Sequence, residues 1–74
     1  MVKVKDDRKW FWFRVVKDGV KCDMQHWFTT YDGTTNIARN IMSDVLKFNK
    51  GSRVYVEIIA DDTDLGLIGI VANY

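Results

Sequence analysis

Seventy-four residues suffice for one small core, so a single domain spanning residues 1–74 is expected, and self-association is the natural way to steady a scaffold this short. A composition 47% hydrophobic and 28% charged excludes wholesale disorder, and a single cysteine excludes an internal disulfide framework. No apolar run approaches the length of a transmembrane helix and the N-terminus lacks a leader-like apolar stretch, so no membrane partner and a cytoplasmic setting are expected.

The net charge of +1 conceals an asymmetry along the chain. Residues 1–21 carry Lys3, Lys5, Arg8, Lys9, Arg14, Lys17 and Lys21 against Asp6, Asp7 and Asp18. Residues 54–74 carry Glu57, Asp61, Asp62 and Asp64 and no basic residue. If the end strands meet, these blocks neutralise each other. A domain built for nucleic acid would carry a higher net positive charge.

The first predicted element is a strand over about 8–17, extendable back to Val2 and Val4. It contains four successive aromatics, Trp10-Phe11-Trp12-Phe13. Alternation along a strand gives Phe11 and Phe13 one face and Trp10 and Trp12 the other. Asp18-Gly19 follows, the strongest short-range signal for a type I′ hairpin because both central positions need φ > 0. A second strand then runs from Val20 to about Thr30.

A two-residue loop at Asp18-Gly19 implies a register. It pairs Val15 with Cys22, Phe13 with Met24 and Phe11 with His26 on one face. On the other it pairs Arg14 with Asp23, Trp12 with Gln25 and Trp10 with Trp27, giving a charge pair and a tryptophan pair across the strands.

Tyr31-Asp32-Gly33 breaks the strand, and Thr34 or Thr35 can cap a helix from about Asn36 to Phe48. Its predicted apolar stripe is Ile37, Ile41, Val45 and Phe48, widened by Ala38, Met42 and Leu46. Gly51 ends it. Strands over about Ser52–Ala60 and Leu65–Asn73 follow, joined through a four-residue loop, Asp61-Asp62-Thr63-Asp64. That loop pairs Val54, Val56 and Ile58 with Val71, Gly69 and Leu67, and leaves Tyr55, Ile59, Ile68 and Ile70 on the opposite face.

The fold class expected is therefore α+β, of the form ββαββ: a four-stranded, mostly antiparallel sheet in the order 2-1-3-4 with one helix packed on one face. One helix covers one face, yet the other face is also apolar. It is predicted to carry Trp10, Trp12, Arg14, Trp27, Tyr55, Ile68 and Ile70 as partner-binding residues. Such a patch exceeds the few hundred Å² that soluble monomers usually leave exposed.

Candidate chemistry fails on distance. Cys22 and His26 lie four residues apart on one strand, about 13 Å, too far to share a zinc ion through ~2 Å bonds or to act as a nucleophile and base. Asp61, Asp62 and Asp64 lack the ligand spacing of a calcium loop. Gly33-Thr34-Thr35 has no Walker lysine nearby and serves as a cap. No catalytic residue, metal ligand or cofactor is expected.

The function this predicts is a non-catalytic protein-interaction module, homodimeric or larger, acting as a regulator or inhibitor through an apolar Trp/Tyr/Ile sheet face. Small accessory proteins of viruses and mobile elements have this size and economy. The alternative is a single-stranded nucleic-acid-binding domain stacking bases on Trp10, Trp12 and Trp27.

Overall fold

The computed structural model describes residues 7–61 and 66–72. Its elements are β1 (Lys9–Lys17), β2 (Val20–Thr29), α1 (Thr34–Phe48), β3 (Val54–Ala60) and β4 (Leu67–Ala72). The four strands form one sheet in the order β2-β1-β3-β4, antiparallel at every junction. This is the α+β ββαββ architecture. β2 and β3 flank β1 and both oppose it, so they run parallel to each other. Parallel strands cannot be joined by a hairpin, and α1 makes the crossover.

Asp18 (φ 50°) and Gly19 (φ 82°) both adopt positive φ, and Lys17 pairs with Val20. This is the turn that Asp-Gly favours. The turn is tied to the residue before β3: the Asp18 N–H donates to the Arg53 carbonyl at 2.8 Å, and the Arg53 N–H donates to Asp18 Oδ1 at 2.9 Å.

The core lies between α1 and the middle of the sheet. Phe11, Phe13 and Val15 of β1 meet Val54, Val56, Ile58 and Ala60 of β3 beneath Ala38, Ile41 and Met42 of α1. α1 lies chiefly across β3, with lesser contact to β1 and β4. β2 lies beyond this cover, and every residue from Val20 to Phe28 is exposed. The helix begins two residues before the predicted start, after Gly33 as its N-cap. The buried Thr34 hydroxyl donates back to the Tyr31 carbonyl at 2.6 Å rather than capping the helix. Phe48, predicted on the buried stripe, is 87% exposed, because the last turn overhangs the sheet and ends at Asn49.

Two bulges and a two-residue shift correct the expected registers: β3 and β4 pair Val56 with Val71 and Ile58 with Gly69, where Gly69 and Leu67 were expected opposite them. On β2, Cys22 and Asp23 together oppose Val15, and from there outward the pairing shifts by one residue. Arg14 thus faces Met24 rather than Asp23, Trp12 faces His26, Phe11 faces Trp27 and Trp10 faces Phe28. A one-residue slip reverses the face of every side chain beyond it. On β4, Ile58 pairs with Gly69 and Ile59 with Leu67, leaving Ile68 as the extra residue. Ile68 turns onto the helix-side core, and Leu67 takes the opposite face. The Ala60 N–H donates to the Gly66 carbonyl at 2.9 Å, so the β3–β4 connection closes on Gly66 and is longer than four residues. Asp62, Thr63, Asp64 and the predicted strand ends Val2, Val4, Leu65 and Asn73 lie outside the described residues.

Candidate protein-contact face

The face away from α1 is built in rows, because paired residues on neighbouring strands point the same way. One row runs His26, Trp12, Ile59, Leu67 across the sheet from β2 to β4. The next runs Met24, Arg14, Glu57, Ile70. Trp10 and Phe28 flank the first row on one side; on the other, the fully buried Val16 and the half-buried Tyr55 close the second. Apolar side chains thus surround a single charge pair at the centre. Trp10, Met24, Phe28, Leu67 and Ile70 are all exposed, between 44% and 57%.

Aromatic contacts link the side chains of the β1–β2 half of this face. The His26 ring stacks on Trp12 at 4.1 Å between centroids with an interplanar angle of 9°, and approaches Trp10 at 4.5 Å. Trp10 lies 5.2 Å from Phe28, over which the Arg8 guanidinium sits at 5.1 Å. His26 Nε2 is 3.1 Å from Asp61 Oδ2 at the end of β3. These contacts supply the physical reason for the β2 bulge. In the unbulged register the imidazole would enter the apolar face beside Phe11; in the bulged one it has a carboxylate and two aromatic neighbours.

Arg14 Nη1 lies 3.5 Å from Glu57 Oε1, with the two side chains 27% and 16% exposed. Glu57 Oε1 is fully buried and accepts no hydrogen bond among the described residues. Arg14 supplies its charge compensation without a well-aligned donor.

Of the seven partner-binding residues predicted, the structure gathers Trp10, Trp12, Arg14, Tyr55 and Ile70 on this face. Trp27 and Ile68 are corrections: the bulges place both on the helix side. There Trp27 is 45% exposed and its Nε1 donates to Gln25 Oε1 at 2.9 Å. A platform of all three tryptophans is therefore not formed. Met24, His26, Phe28 and Leu67 join the face unpredicted. The one hint in the sequence was a lone imidazole on an otherwise apolar side of a strand.

On the helix side, the uncovered strip beside β2 forms a cleft of about 320 Å³ between the bulge and the end of α1. Val15, Cys22, Val45 and Phe48 line it, with Asp23 and Asp44 among its polar walls. Cys22 and His26 thus lie on opposite faces of the sheet. Among the described residues no group of three or more His, Cys, Asp or Glu is placed to hold a metal ion, and no helix is long and apolar enough to cross a membrane. Comparison with protein-family models, with curated proteins and with solved structures found no match.

Proposed function

We propose that this chain is a non-catalytic protein-interaction module, a small homo-oligomeric regulator or inhibitor working in the cytoplasm, and that the face built on Trp10, Trp12, Tyr55 and Ile70 receives a partner protein. The observation that carries this reading is the pair of rows described above, an apolar and aromatic surface that α1 does not cover. Large half-exposed apolar side chains around a partly buried arginine are the composition of interface centres. Among the described residues, the His26–Asp61 contact has no nucleophile beside it, since Cys22 lies across the sheet.

The test is retention of protein from a cell extract by the immobilised chain at low and moderate salt. Apolar burial is not screened, so retention persists as salt rises. The double variant Trp10→Ser/Ile70→Ser keeps its far-ultraviolet dichroism and loses retention. Retention unaffected by that variant contradicts the reading. So does tight binding of oligo-dT that falls steeply with salt, the mark of counterion release.

A further inference from the structure

Among the described residues the outer edge of β2 is an unpaired strand edge, and its donors and acceptors can be located. The Asp61 N–H donates to the Trp10 carbonyl at 3.1 Å, so the backbone groups of Trp10 face β3. In an antiparallel ladder these directions alternate residue by residue. The partner of Trp10 on β2, Phe28, therefore turns its N–H and C=O away from β1, to the free edge. His26 and Met24, two and four residues back in the same uninterrupted register, do likewise.

Proteins that must stay monomeric blunt such an edge with lysine, proline, a bulge or a short strand. Residues 24–29, Met-Gln-His-Trp-Phe-Thr, contain no Lys, Arg, Asp, Glu or Pro. The bulge at Cys22 and Asp23 lies nearer the hairpin turn and leaves this stretch regular. β4, at the other edge, is interrupted by its bulge at Ile68.

We propose that β2 pairs antiparallel with β2 of a second copy of this chain, about a two-fold axis through His26. This rests on the reading of the chain as a homo-oligomeric module and assigns its self-association to this edge, leaving the open face for the partner. A centre at His26 sets His26 opposite its own copy and Met24 opposite Phe28 of the second copy. All three outward residues are then satisfied by about six backbone hydrogen bonds. A centre at Met24 runs into the bulge, and one at Phe28 leaves Met24 unpaired.

The side chains match about the same axis. Met24 meets Phe28 on the open face, and Gln25 meets Trp27 on the other. The exposed parts of Met24, Trp27 and Phe28 with the flanking backbone amount to on the order of 400 Å² per copy. That places the contact at the small, reversible end of protein interfaces.

Disulfide trapping tests the register. In a Cys22→Ser background, His26→Cys puts two thiols at an antiparallel hydrogen-bonded pair, about 5.5 Å apart at Cα and within disulfide reach. Met24→Cys puts them about 13 Å or more apart. Mild oxidation should cross-link the first variant and not the second. Met24→Pro, whose lost N–H points outward and leaves the β1 ladder intact, should lower the native mass to that of a monomer with its dichroism retained. A wild-type chain still monomeric at about 1 mM overturns the proposal. Equal cross-linking at both positions also overturns it, as does a Met24→Pro variant as dimeric as the wild type. A dimer that ignores Met24→Pro but dissociates on Ile70→Ser would move self-association to the open face and leave the proposed function standing. A dimer trapped as stated whose open face retains no protein would support the edge and remove that function.

Discussion

Arg14 and Glu57 show how a single pair governs the open face. Glu57 Oε1 is buried and, among the described residues, has only the guanidinium 3.5 Å away to offset its charge. Removing one partner of such a pair costs more than removing both, because the survivor is left desolvated and uncompensated. Arg14→Ala is expected to lower stability by about 1–3 kcal/mol in urea unfolding, and Arg14→Ala/Glu57→Leu to restore much of the loss; a double variant as weak as the sum of its parts contradicts this. Gly33 is a second such position. Its φ is ordinary, but a Cβ there would collide with Thr29 Oγ1 and crowd Thr30 Oγ1 at 3.2 Å. Gly33→Ala should cost about 1–2 kcal/mol, and Thr29→Ala in the same chain should recover part of it. No recovery on removing the hydroxyl would show that the close approach is not the cause.

At the scale of elements, the hairpin turn and the helix are legible because each has a local signal; the order of the two hairpins has none, although the expected order 2-1-3-4 is the one observed. Asp-Gly fixes the turn, and the 3.6-residue stripe fixes the buried side of α1. The two apolar strand pairs leave few ways to share one helix. The bulges had no such signal: each adds one residue whose own identity is unremarkable, yet reverses the faces beyond it. That is why the expectation fails for Trp27 and Ile68 and holds for Trp10, Trp12 and Tyr55, whose strands β1 and β3 carry no extra residue. Phe48 failed for a different reason. Periodicity shows which side of a helix is apolar, not where the sheet beneath it stops.

Two measurements follow for the elements. Ile41, buried in the core, should cost about 2–4 kcal/mol as Ile41→Ala, whereas Phe48→Ser should stay within about 0.5 kcal/mol; equal losses at both would mean that the helix packs through its whole length. Deleting Asp23 removes one of the two bulged residues and should leave the Trp12–His26 and Trp10–Phe28 pairs in place, read as retained proton–proton contacts between the Trp12 and His26 rings. Their loss would show that the bulge is needed for the outer register.

Across the whole molecule, one helix serves a four-stranded sheet, packing on β3 chiefly and on β1 and β4 less. The consequence is a sheet covered by the helix on one side of its middle and exposed on both sides of β2. The open face and the β2 edge are therefore two results of the same economy, and the account assigns them different occupants, a partner protein and a second copy. Hydroxyl-radical footprinting of the chain, free and in complex with the protein it retains, tests the central assignment most directly. Trp10, Leu67 and Ile70 are 49%, 54% and 57% exposed on the open face, and Phe48 is 87% exposed at the end of the helix. The account predicts strong protection of Trp10, Leu67 and Ile70 in the complex and an unchanged rate at Phe48. Protection of Phe48 with Trp10, Leu67 and Ile70 unchanged would place the partner on the helix side and contradict it.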